Sequence, residues 1–186
     1  ADISPEVEGD AAIEFPFAQF KTSIPSARWD LNTQQITMSK DKEVPIEDSY
    51  FYTTRKDLDS LRFNAEHAVY DIKKQELKVS GIPYIIVADA KITPNNNEVL
   101  ILENAQIGTL NNTTIVIDTL NGYHQLTEGV IDIKSRNEFS GHATYQYINF
   151  LKDTFAIKLT DFHLERIVRA DSLKRSSRKR SDKEME

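Results

Sequence analysis

The chain has 186 residues, 39% of them hydrophobic and 28% charged, with a formal net charge of −6 and no cysteine. This length suits one compact domain with tails, and the modest apolar fraction suits a thin core, as in a two-layer β-structure or a solenoid. The absence of cysteine excludes disulfides, thiolate metal sites and cysteine nucleophiles, and there is no run of about 18 apolar residues of the kind a transmembrane helix needs.

Residues 1–12 read as an acidic N-terminal extension, and Ala1–Asp10 lacks the basic-then-apolar pattern of a secretion signal. A β repeat domain is expected over 13–164. Its first clear feature is Ala27-Arg28-Trp29-Asp30-Leu31, followed by a polar run and Gln35-Ile36-Thr37-Met38-Ser39. The same pattern returns 41 residues later as Ala68-Val69-Tyr70-Asp71-Ile72, a polar run, and Glu76-Leu77-Lys78-Val79-Ser80. A weaker third copy is Val130-Ile131-Asp132-Ile133-Lys134, ahead of Ser140-Gly141. In each of the first two copies Asp ends an apolar-alternating run. Its short side chain can accept backbone N–H groups two residues on, which starts a tight turn. Each copy is therefore expected to be a hairpin with a four- or five-residue loop, with Asp30 and Asp71 at the turns. Trp29 and Tyr70, one residue earlier, are expected to fill a shared core position.

A second register runs in steps of fifteen residues through Ile85-Ile86-Val87, Leu100-Ile101-Leu102, Ile115-Val116-Ile117 and Val130-Ile131-Asp132-Ile133. Turn-formers separate these segments: Thr93-Pro94-Asn95-Asn96-Asn97, Asn111-Asn112 and Asn121-Gly122. Period-two alternation continues in Phe155, Ile157 and Leu159. The stretch Phe162–Leu173 fits either an amphipathic helix or one more strand. From Glu165 to the end there are eight Lys/Arg against five Asp/Glu, so 165–186 reads as a charged linker or disordered tail, and the body carries a balance of −9. An acidic body argues against general nucleic-acid binding.

The run Ala68-Val69-Tyr70-Asp71, then Leu77-Lys78-Val79-Ser80-Gly81, then Ile85-Ile86-Val87-Ala88-Asp89-Ala90 resembles the organic-solvent-tolerance/lipopolysaccharide-transport β-jelly-roll repeat family. Phe20-Lys21-Thr22-Ser23-Ile24-Pro25 and Gly81-Ile82-Pro83-Tyr84-Ile85 extend the likeness to large repeat-rich envelope proteins of Gram-negative bacteria. The strand–turn alternation reads as an all-β, repeat-built chain; the resemblance implies a stack of strands folded into an open V-shaped β-jelly roll, and the thin core also suits a β-solenoid. It implies an apolar interior that takes the acyl chains of lipopolysaccharide while the glycan stays in water. The implied location is the periplasm or the outer membrane, peripheral to the bilayer and not spanning it.

Candidate lipid contacts are Ile85, Val87, Leu100, Leu102, Ile115 and Ile117, which share one face in the fifteen-residue register; Ile86, Ile101 and Val116 share the other. Glu103 with Asp118, and Asp89 with Asn104 and Thr119, fall at matching register positions. Paired carboxylates of this kind can do acid–base work on a glycan or hold a calcium ion, and they are also the ordinary outward positions of a strand. His67, His124, His142 and His163 show no zinc-ligand spacing, and neither a Gly-x-Ser-x-Gly elbow nor a glycine-rich phosphate loop is present. No cofactor or metal is expected. The leading expectation is a non-catalytic envelope module that handles glycolipid or another envelope protein. The alternatives are a scaffold or adhesin that associates end to end through strand edges, and a carbohydrate-active enzyme on a solenoid.

Overall fold

Residues 27–39 and 68–80 fold as the same hairpin. Ala27 pairs with Met38, Trp29 with Ile36 and Asp30 with Gln35; the second copy pairs Ala68 with Val79, Tyr70 with Leu77 and Asp71 with Glu76. Each loop has four residues, and the last of them, Gln34 or Gln75, is left-handed, with φ of 57° and 58°. The local turn chemistry therefore sets the same register twice. The two hairpins are neighbours in one sheet, with Gln35 opposite Asp71 and Met38 opposite Ala68.

The computed structural model describes residues 2–3, 13–120, 122 and 124–166. In chain order the strands are β1 (Asp2–Ile3), β2 (Ile13–Phe15), β3 (Phe20–Thr22), β4 (Ala27–Asp30), β5 (Gln35–Ser39), β6 (Tyr50–Thr53), β7 (Arg62–Asn64), β8 (His67–Asp71), β9 (Glu76–Ser80), β10 (Ile85–Val87), β11 (Ala90–Thr93), β12 (Glu98–Ile101), β13 (Leu110–Ile117), β14 (His124–Ser135), β15 (Glu138–Ile148) and β16 (Thr154–Glu165). Among the described residues all pairings are antiparallel. They build three open sheets, in the orders β1-β4-β5-β8-β9-β12, β2-β3-β6-β7 and β10-β11-β13-β14-β15-β16. The described residues are thus all-β, joined by turns and short 3-10 segments, with no α-helix. Residues 154–165 are a strand, which settles the start of the stretch that also fitted a helix. The remainder of that stretch and the basic tail lie outside the described residues, as does most of the acidic extension, whose Asp2–Ile3 pairs with β4 at the edge of the first sheet.

One apolar cluster is shared by the three sheets. In the first sheet two inward rows run across the strands: Ala27–Met38–Ala68–Val79–Val99 and Trp29–Ile36–Tyr70–Leu77–Ile101. The second sheet supplies Phe15, Phe20, Phe51 and Phe63; Phe15 meets Tyr70 at a ring-centroid distance of 5.2 Å, and Phe63 meets both Phe20 and Phe51. Strand β7 lies against β10, which brings the second and third sheets together.

Two sequence expectations are corrected. Trp29 and Tyr70 do not occupy equivalent core sites. Tyr70 is 8% exposed and Trp29 is 36% exposed, because Trp29 ends its inward row on β4, while Tyr70 sits mid-row under Phe15. The third copy of the repeat is not a hairpin turn. Asp132 lies in the middle of the 12-residue strand β14, where its Oδ1 accepts from Thr109 Oγ1 at 2.6 Å. There the apolar residues flanking the Asp belong to one long strand that turns only after Ser135.

Candidate functional site

The Asp turns show what the motif does chemically. Asp30 Oδ1 accepts from the N–H groups of Asn32 and Thr33 at 2.9 and 3.3 Å, and Asp71 Oδ1 accepts from those of Lys73 and Lys74 at 3.0 and 3.1 Å. These bonds favour the ionised carboxylate and hold both groups below the ordinary Asp range: Asp30 through the backbone of Asn32 and then Thr33, Asp71 through the backbone of Lys74 first and also through the side chain of Gln35. Both are solvent-facing turn formers, and their role is structural.

The fifteen-residue register does not survive as a structural repeat. Ile85, Val87 and Ile115 are fully buried in the third sheet, Ile117 and Leu102 are half-buried, and Leu100 points outward from β12. In the other set Ile101 is fully buried, Val116 is half-buried and Ile86 faces out. The reason is topological: β12 leaves the third sheet and pairs with β9 in the first, and a one-residue offset in alternation exchanges the faces. The six candidates therefore do not line one groove. Ile85, Val87 and Ile115 are interior core, and Leu100 borders a surface cleft of about 360 Å³ together with Lys78, Glu98 and Gly108.

The inward row that begins at Ile85 carries the functional interest. Following the pairings, it runs Ile85–Ile92–Ile115–Leu126–Tyr145–Ile157 across six strands. The first four residues are at most 2% exposed, Tyr145 is half-buried and Ile157 is 44% exposed. The adjacent pair on the same face, Tyr147 opposite Phe155, is also exposed. The sheet thus carries its apolar inner face beyond the part that other elements cover. At its far end the turn after β15 adds Phe150 and Leu151, both exposed; the turn itself is closed by Asn149, which donates its N–H to the Asp153 carbonyl and accepts the Asp153 N–H on Oδ1. The edge of this face holds the tilted ring pair His124–Tyr145, with His124 Nδ1 3.1 Å from the tyrosine hydroxyl.

A line of irregularities shapes this end of the sheet. The pairing of β13 with β14 shifts on either side of Thr113, with Asn112 and Glu128 left-handed, and β15 against β16 shifts between Gly141 and Ala143. Such bulges bend strands and increase twist. Gly141 is required at its position, since a β-carbon there would run into the Val130 carbonyl oxygen.

The carboxylates do not assemble into a catalytic pair. Glu103 lies in a turn after β12, and Asp118 follows β13 in another sheet. Of the second set, Thr119 Oγ1 does donate to Asp89 Oδ1 at 3.0 Å, while Asn104 is elsewhere. There it acts as a clasp that sequence reasoning missed: its N–H donates to the Phe17 carbonyl, its carbonyl accepts from Arg55 Nη1 at 2.6 Å, and its Oδ1 accepts from Gln19 Nε2 at 3.3 Å. Arg55 is itself clamped by Asp57, whose hydrogen bond holds the guanidinium up and the carboxylate down from their ordinary pKa ranges. His67 contacts Ser39, and His163 lies near Glu138 and Glu165 at 3.8 and 3.9 Å. Among the described residues no group of three or more metal-ligating side chains converges, and no helix is long and apolar enough to cross a membrane.

No family model, curated protein or solved structure matches this chain.

Proposed function

We propose that this chain is a non-catalytic β-repeat module of the bacterial cell envelope that holds the acyl part of a lipopolysaccharide-like glycolipid on the uncovered inner face of β15 and β16. In this reading the sheets are the walls of an open V-shaped β-jelly roll. Its closed end is the filled core around Ile85, Ile92 and Ile115, and its mouth is Tyr145, Tyr147, Phe155 and Ile157. The module works in the periplasm or at the outer membrane, peripheral to the bilayer.

The observation that carries the reading is the rise in exposure along one inward row, from Ile85 at 0% to Ile157 at 44%. Covering the exposed half of an Ile or Phe side chain of this kind contributes roughly 1 kcal/mol, so several such contacts together supply useful affinity for an acyl chain. The body is acidic, so attraction to an anionic lipid has to come from this apolar face and not from charge.

Titration with a fluorescently labelled lipopolysaccharide tests the reading. Ile157→Asp is expected to weaken binding at least tenfold while the protein stays folded. Ile86→Asp, at 41% exposure on the opposite face of the same sheet, is expected to leave binding unchanged. Equal binding by wild type and a folded Ile157→Asp variant would overturn it.

A further inference from the structure

Strand β16 is the free edge of the third sheet. It pairs with β15 along its length, and among the described residues no strand lies on its other side. A 12-residue edge is a long template of unpaired backbone groups. Its side chains are also arranged symmetrically. The pairing shift places Thr160 and Asp161 together opposite one residue of β15, so the inward positions are Phe155, Ile157 and Leu159 on one side of the irregularity and Phe162 and Leu164 on the other. Outward positions are Ala156 and Lys158 before it, and His163 after it.

We propose that two copies of this chain pair through β16, antiparallel, about a twofold axis at Leu159. That arrangement sets Leu159 against its own copy, Ile157 against Phe162 and Phe155 against Leu164 on the inner face. On the outer face it sets Lys158 against Asp161 twice, and Ala156 against His163. Neither Lys158 nor Asp161 has an ion-pair partner among the described residues. A lysine and a bulge on an edge strand ordinarily discourage pairing. Here the bulge falls at the axis, where both copies carry it, and the lysine meets an unmatched carboxylate. A twofold contact needs one self-complementary patch, and β16 supplies one. The two six-stranded sheets become one sheet of twelve, with both inner faces on the same side. This partner is independent of the lipid reading, and its test uses no lipid.

The test is sedimentation of the full chain over a wide concentration range, with circular dichroism to confirm folding. A monomer–dimer equilibrium is expected. Lys158→Asp should weaken it at least tenfold by facing two carboxylates with each other, and the double exchange Lys158→Asp with Asp161→Lys should restore it. Because the chain has no cysteine, the double variant Ala156→Cys with His163→Cys should oxidise to a covalent dimer, and neither single variant should. A chain that stays monomeric at several hundred micromolar, a dimer indifferent to Lys158→Asp, or one in which the double exchange fails to rescue, would overturn the proposal.

Discussion

Gln35 donates from Nε2 to Oδ2 of Asp71 at 3.4 Å, across the seam where the return strand of one hairpin pairs with the outgoing strand of the next. Asp30 shares the turn geometry of Asp71, and its pKa is lowered chiefly by the N–H groups of its own turn, those of Asn32 and Thr33. This gives a paired prediction. Gln35→Ala should raise the Asp71 pKa toward the ordinary value and leave that of Asp30 in place, as read by carboxyl NMR titration. Both folded-state pKa values lie below the unfolded value of about 3.9. The stability each turn contributes is therefore fully present above that pH and is lost as pH falls through the folded pKa. Asp30→Ala or Asp71→Ala should lower the thermal midpoint at neutral pH and flatten its fall in acid; an acid limb unchanged in both variants would remove these turns from the account.

Tyr70 and Trp29 occupy the same motif position at different depths. Tyr70→Ala should cost about 3–5 kcal/mol in urea denaturation, as expected for a buried aromatic. Trp29→Ala should cost less than half of that, since Trp29 ends its row at the β4 side. Equal costs would mean that Trp29 is core after all.

The two hairpins of the first sheet were legible in the sequence because Asp turns are local chemistry: a carboxylate, a polar run and a return strand specify a register within thirteen residues. The fifteen-residue step was misleading for the converse reason. Ile85 and Leu100 lie in different sheets, and nothing within either segment says that β12 will cross to pair with β9. The uncovered face was half visible. Phe155, Ile157 and Leu159 alternate as a strand should, but their exposure depends on where the facing elements end, which is a property of the whole fold. Asn104 gave no signal, since a clasp between distant loops is marked by its partners and not by its neighbours.

Gly141 tests the packing of the long strands. Gly141→Ala pushes a methyl group into the Val130 carbonyl, and β14, β15 or both must shift. A loss of about 1–3 kcal/mol is expected, as for other overpacked sites. Hydrogen exchange should show the loosening in β15 and β16 first; an unchanged denaturation midpoint would show that the strand pairing there is looser than described.

Charge placed along the inward row should separate core from mouth. Ile115→Asp buries a carboxylate among apolar side chains and should prevent folding. Phe155→Asp, two strands from the covered part of the same face, should change stability by less than about 1 kcal/mol, as surface substitutions usually do. Circular dichroism and thermal melts of the two variants check this, and a Phe155→Asp chain that unfolds would place the mouth inside the core.

Site-specific photo-crosslinking to lipopolysaccharide tests the central claim most directly. A photoreactive side chain placed singly at Tyr147, Phe155 or Ile157 should label the lipid, while the same probe at Ile86 or Leu100, both outward-facing, should not. Labelling absent at all three inner positions of a folded protein, or equal at inner and outer positions, would contradict the account.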